Sequence, residues 1–91
     1  METVYKYKLS KDLKQTIEMP VGAQILTCQI QHGVPVIWAK VNSKIISTES
    51  RTFILAETGG EIEQYYSELK YISTIQLFEG AYILHVFEII Y

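Results

Sequence analysis

The chain has little cysteine and no long apolar run, and each shortage excludes a class of protein. A single cysteine, Cys28, rules out an internal disulfide and a cysteine-rich zinc site. No apolar stretch approaches the ~20 residues of a membrane-spanning helix, and no signal peptide is visible, so we expect no membrane partner and a cytoplasmic location. The 91 residues suffice for a single domain, residues 1–91, with a thin stability margin.

An excess of charge of one sign is also missing. The formal net charge is −2 at pH 7, which argues against duplex nucleic acid as a partner, because that binding depends on neutralising phosphates. Residues 1–51 nevertheless carry seven Lys/Arg and four acids, whereas residues 52–91 carry one lysine and six glutamates. This split is compatible with differently charged solvated edges, with head-to-tail pairing of copies, or with a basic concavity for a small anion.

Alternation of polar and apolar residues is abundant and is typical of half-buried strands. Residues 24–31 and 36–42 are predicted to form a hairpin around a turn at residues 32–35. Its aliphatic face is predicted to contain Leu26, Cys28, Ile30, Ile37, Ala39 and Val41. Its polar-aromatic face is predicted to contain Ile25, Thr27, Gln29, Gln31, Val36, Trp38, Lys40 and Asn42. A tryptophan on such a face is either covered by another element or used for contact.

Strand-like composition also occurs in the ranges 4–9, 15–19, 51–57, 70–78 and 81–91. Helical spacing of apolar residues occurs once, over residues 61–69. We therefore predict a mainly β protein, a small antiparallel β-sandwich or partly open barrel of six to seven strands, with at most one short helix near residues 61–69.

Residues arranged for catalysis are not evident. The serines lie in no G-x-S-x-G elbow, His32 lies in a predicted turn and His85 lies on an apolar strand face. Neither histidine has the ligand spacing of a metal site. We therefore predict no catalytic residue, no metal ligand and no cofactor, and a protein that is not an enzyme.

Side chains suited to binding are better represented. Aromatic rings stack on bases, amides suit base edges, a guanidinium can grip a phosphate with two bonds, and a Thr-Gly pair can offer N–H and hydroxyl groups to an anion. The predicted ligand-binding residues on these grounds are Trp38, Arg51, Gln29, Gln31, Thr58, Gly59 and Tyr7. For Arg51 the alternative is a salt bridge to Glu49 or Glu57.

Short motifs along the chain resemble a known family as an ordered set. The motifs are Met19-Pro20-x-Gly22-Ala23-x-Ile25-Leu26, Gln29-x-Gln31, Ile37-Trp38-Ala39-x-Val41, Arg51-x-Phe53, Thr58-Gly59, Tyr71-Ile72-x-Thr74 and His85-Val86-Phe87-Glu88. Over nearly the whole chain they resemble the small phage-encoded anti-CBASS nucleotide sponges. The resemblance implies a homo-oligomer, with a tetramer favoured, that binds a bacterial immune cyclic nucleotide such as a cyclic dinucleotide without cleaving it, in the host cell cytoplasm.

Two other functions are alternatives to nucleotide binding. Seven tyrosines and the uneven charge also suit a phage protein that binds a host protein through an exposed Tyr/Trp face, with no small ligand. A small phosphodiesterase or nucleotide-modifying enzyme is the third hypothesis, and the missing catalytic arrangement disfavours it.

Overall fold

The computed structural model describes residues 1–62 and 68–91. Seven strands lie within these ranges: β1 (Glu2–Lys8), β2 (Lys14–Pro20), β3 (Gln24–Gln31), β4 (Val34–Asn42), β5 (Thr48–Glu57), β6 (Leu69–Leu77) and β7 (Tyr82–Ile89). In this part of the chain, no helix is long and apolar enough to cross a membrane.

The strands form two antiparallel sheets. The three-stranded sheet has the order β1-β4-β3, and the four-stranded sheet has the order β2-β5-β7-β6. The predicted antiparallel sandwich of six to seven strands is therefore confirmed. β5 and β7, whose sequences are apolar on both faces, are the two central strands of the larger sheet.

Among the described residues, an apolar core lies between the sheets. Both sheets contribute fully buried side chains to it, among them Phe53 from β5, Ile37 from β4 and Val86 from β7. A side-chain bond also joins the sheets at one margin, where the Ser73 hydroxyl donates to the Cys28 carbonyl oxygen at 2.7 Å. Cys28 itself is buried among the core side chains, as the alternation along β3 predicts.

A β-bulge in β3 changes the predicted faces of that strand. The register with β4 shifts between Ile25 and Thr27, so the extra residue is Leu26. Ile25 packs against the core, whereas Leu26 is 46% exposed. The predicted placement of both residues is therefore wrong, while Cys28 and Ile30, beyond the bulge, lie on the core side as expected.

Because the bulge exchanges the faces of Ile25 and Leu26, the expected effects of substituting them are opposite to those that simple alternation predicts. Leu26→Ala is expected to change the free energy of unfolding by less than about 0.5 kcal/mol, because the residue is 46% exposed and lies outside the core. Ile25→Ala should cost about 1–2 kcal/mol, because it removes side-chain contacts with the core. Urea unfolding of the two variants measures both values. A larger loss for Leu26→Ala would contradict the bulge.

Two other predicted boundaries differ from the structure. The turn between β3 and β4 contains only His32 and Gly33, both with positive φ, and Val34 and Pro35 belong to β4. A two-residue turn of this kind matches the right-handed twist of a hairpin. The helix predicted near residues 61–69 includes residues 63–67, which lie outside the described ranges, and Leu69 begins β6.

Candidate functional site

The outer surface of the three-stranded sheet gathers part of the predicted ligand-binding set. The strand registers place Lys6, Trp38 and Thr27 in one row across the sheet, and Lys8, Val36 and Gln29 in the next row. Residues directly opposite in an antiparallel pair share a face. We call this surface the Trp38 face, and its polar and aromatic members are Glu2, Lys6, Lys8, Gln24, Thr27, Gln29, Gln31, Trp38, Lys40 and Asn42.

Lys6 lies over the tryptophan at the centre of this face. Its Nζ atom is 5.9 Å from the centroid of the Trp38 ring and donates a hydrogen bond to Gln31 Oε1 at 3.0 Å. The Trp38 side chain is half-buried, so no further element covers it completely. A cation at this distance is attracted by the quadrupole of the indole ring. The contact holds a positive charge next to an exposed part of an aromatic surface.

The Trp38 face is basic although the chain is acidic. Lys6, Lys8 and Lys40 all lie on it and are exposed, and Glu2 neutralises one of them through an ion pair with Lys40 at 2.9 Å. Gln29 is exposed and its amide donates to the Thr27 hydroxyl at 3.1 Å. The face thus combines a ring, amides and a surplus of ammonium groups.

Tyr7 lies on the opposite side of the same sheet. It pairs with Ile37 of β4, and its ring packs against the core. Burial raises the pKa of its hydroxyl, and the neighbouring Tyr5 raises it further. Tyr7 therefore contributes to the packing beneath the sheet and is not adjacent to Trp38 on the outer surface.

Arg51 lies on the inward side of the four-stranded sheet and is engaged by protein groups. Its Nε donates to Glu88 Oε2 and its Nη2 donates to Glu88 Oε1 at 3.0 Å, a two-bond ion pair. Its Nη1 donates to the Ala23 carbonyl oxygen at 2.7 Å. Hydrogen bonding to Glu88 raises the pKa of the guanidinium, although burial acts in the opposite direction. The structure thus uses Arg51 for a salt bridge.

The partner that sequence reasoning missed is Glu88. Of the two predicted partners, Glu49 lies farther away, with its Oε2 3.8 Å from Arg51 Nη1. The same Glu49 oxygen accepts the Gly22 N–H at 2.9 Å. Residues 21–23 connect β2 in one sheet to β3 in the other. Glu49, Arg51 and Glu88 together therefore hold this connection against β5 and β7.

Thr58 and Gly59 follow β5 and lie with the four-stranded sheet. The Thr58 hydroxyl is 2.7 Å from Nε2 of His85, and the Thr74 hydroxyl is 2.9 Å from Nδ1 of the same ring. The hydroxyl of Tyr71 extends this chain to Thr74 at 2.8 Å. Both ring nitrogens of His85 thus have partners, as expected for a structural histidine. Gly59 has φ +79°, which a tight turn requires and which explains the glycine.

Three of the seven predicted ligand-binding residues therefore meet on one surface, Trp38, Gln29 and Gln31. Lys40 was predicted on the same face as Trp38, whereas sequence reasoning missed Lys6 and Lys8 of β1 as their neighbours. The alternation in β1 places Lys6 and Lys8 on a common face, but no local signal indicates that β1 pairs with β4. In the ranges 1–62 and 68–91, no three His, Cys, Asp or Glu side chains are grouped as a metal site requires.

Comparison with known proteins identifies a family and no function. No curated protein and no solved structure matches the chain. Residues 1–90 match the family described as a domain of unknown function, DUF7352. The chain belongs to the DUF7352 family.

Proposed function

We propose that this protein binds a bacterial immune cyclic nucleotide on the Trp38 face and sequesters it without cleavage, as a phage counter-defence protein in the host cell cytoplasm. The observation that carries the proposal is the Trp38 ring with Lys6 5.9 Å from its centroid and the Gln31 amide bonded to that lysine. A base can stack on the indole, and an ammonium group beside the ring can neutralise a phosphate.

The composition of the face supports a cyclic dinucleotide or a similar anion as the ligand. Such a ligand carries two negative charges, and the three lysines less the paired Glu2 leave two positive charges on the face. The Gln29 amide lies one row from Trp38, where it can bond the edge of a stacked base. Binding of this kind needs affinity and no acid–base pair.

An exposed sheet surface forms only one wall of a binding site. Tight ligand sites enclose most of the ligand, so we propose that a second subunit supplies the opposite wall in a homo-oligomer, with a tetramer favoured. Native mass spectrometry of the purified protein tests assembly and reveals any small molecule that co-purifies. A strictly monomeric protein that binds the nucleotide tightly would contradict the shared site.

Trp38→Ala is expected to weaken binding by about 5- to 150-fold, the equivalent of the ~1–3 kcal/mol that stacking contributes. Lys6→Ala should weaken binding about tenfold, since a hydrogen bond to a charged group is lost. Calorimetry against cyclic di- and trinucleotides and cyclic ADP-ribose isomers measures both effects. Tyr71→Ala and Lys44→Ala are the matched controls, because both residues are exposed outside the Trp38 face.

The outcomes separate the proposal from its rivals. Intact ligand recovered after denaturation of the complex supports sequestration, and turnover of the nucleotide would identify an enzyme instead. If no nucleotide binds and a host protein is captured in a Trp38-dependent manner, the alternative of a host-protein partner replaces the proposal.

A further inference from the structure

A cavity of about 520 Å³ opens at the end of the sandwich where the β1–β2, β3–β4 and β6–β7 connections lie together. Its inner wall includes Leu9, Leu55, Leu77 and Leu84, of which Leu9, Leu55 and Leu84 belong to the buried core. We call it the end cavity. Its volume falls within the roughly 300–1,000 Å³ of small-molecule sites.

The rim of the end cavity carries apolar surface that the protein leaves uncovered. Phe78 is 78% exposed and Leu13 is about half exposed, and both border the opening. An apolar molecule inside the cavity would remove area of both side chains from water, a gain that grows with the buried area. The rim and the inner wall together favour an apolar ligand body.

The turn that presents Phe78 is strained. Phe78 and Glu79 have φ of 52° and 56°, in the left-handed region that bulky side chains rarely adopt. Hairpin turns with this backbone ordinarily contain Asn and Gly. Strain of this kind concentrates at binding sites, where the backbone is held so that a side chain points at a ligand. Here it holds an aromatic ring at the mouth of an apolar cavity.

The charge at the rim of the end cavity indicates which head group a ligand there would carry. Of the described residues that line the end cavity, only Lys11 is charged, and it is exposed at the rim. The Tyr82 hydroxyl, the phenol of the lining, already donates to Glu57 at 2.8 Å. A ligand with an apolar body inside the cavity therefore gains most from an anionic group that reaches Lys11.

We propose that the end cavity binds a small amphipathic carboxylate, with its hydrocarbon between the two sheets and its carboxylate at Lys11. The proposal is independent of the nucleotide proposal, because none of the residues that line the end cavity belongs to the polar and aromatic members of the Trp38 face. Either proposal can fail while the other holds.

Octanoate and 1-octanol are suitable probes, because they differ in the head group and share the hydrocarbon. In ¹⁵N-labelled protein, we expect saturable NMR shifts for residues 9–13, 33–35 and 77–84 with both probes, and no shift at Trp38. Lys11→Glu is expected to raise the Kd for octanoate about fivefold, typical of an exposed ion pair, and to leave the Kd for 1-octanol within about twofold. Lys44→Glu, a charge reversal elsewhere on the surface, should change neither.

Phe78→Gly provides a second variant. Glycine adopts the left-handed backbone freely, so the Tm is expected to stay within about 3 °C of the wild type. The Kd for both probes should rise about fivefold, because the rim loses its aromatic surface. The absence of saturable shifts, or an equal response of both probes to Lys11→Glu, or an equal effect of Lys44→Glu, would overturn the proposal.

Discussion

Replacing Arg51 by alanine is expected to lower the free energy of unfolding by about 3 kcal/mol or more. The Glu88 side chain is only 5% exposed and Arg51 provides two of its hydrogen bonds, so the variant leaves a buried carboxylate without its counter-charge. The Ala23 carbonyl oxygen also loses the bond that Arg51 donates to it at 2.7 Å. For a domain of this size, the corresponding fall in Tm is roughly 15 °C.

Two further variants separate the ion pair from general damage to the fold. Arg51→Met combined with Glu88→Leu should recover most of the loss, because an apolar pair leaves no buried charge unpaired. Glu49→Gln keeps an acceptor for the Gly22 N–H and affects only the longer 3.8 Å contact, so its expected cost is under about 1 kcal/mol. Urea unfolding gives all three values. An Arg51→Ala variant within about 1 kcal/mol of the wild type would show that the pair is dispensable.

Stability is expected to fall by about 2–3 kcal/mol between pH 9 and pH 11 through Cys28 alone. Burial raises the pKa of this thiol from 9.0 to about 11, and a backbone hydrogen bond from Val36 only partly offsets that effect. Below pH 9 the thiol is protonated in both states, and its contribution to stability is complete. Above pH 9 the unfolded chain releases the proton while the folded chain retains it. The contribution therefore declines and is lost as the pH passes about 11.

The Cys28→Ala variant isolates this contribution from other groups that titrate at high pH. Burial also raises the pKa of Tyr7, so a residual decline above pH 10 is expected in both proteins. Urea unfolding of the wild type and the variant at about pH 8 and about pH 11 should show a steeper loss for the wild type, whatever the cost of the small cavity in the variant. Parallel losses would contradict the assignment of the pH dependence to Cys28.

At neutral pH the folded thiol should resist a thiol reagent, because Cys28 is fully buried.

The ion pair between Arg51 and Glu88 also explains why Arg51 was predicted from sequence as a ligand-binding residue. A guanidinium in a chain with a suspected anionic ligand is a reasonable phosphate contact, and nothing near Arg51 in sequence identifies its partner. Glu88 is 37 residues away and meets Arg51 only because β5 pairs with β7. Whether Arg51 contacts a ligand or forms an ion pair therefore depends on which strands pair.

Local sequence patterns were sufficient to predict features that depend only on alternation within one strand. The alternation over residues 24–31 predicted β3 with the bounds that the structure has, because successive side chains of a strand face opposite sides. Apolar residues on both faces of β5 and β7 are typical of central strands, and both strands are central in the four-stranded sheet. Composition and periodicity thus indicated an antiparallel β protein, whereas the choice between a sandwich and a partly open barrel needed the structure.

The sequence alone therefore determined the class of fold and the polar-aromatic character of the surface around Trp38. The tertiary structure decided three things that periodicity cannot express. It inserted one residue at Leu26 and so exchanged the faces of Ile25 and Leu26. It brought Lys6 from a strand 32 residues away to the Trp38 ring, and it placed Arg51 against Glu88. The physical reason is the same in each case, since strand register and pairing depend on contacts between distant segments and on no single stretch of the chain.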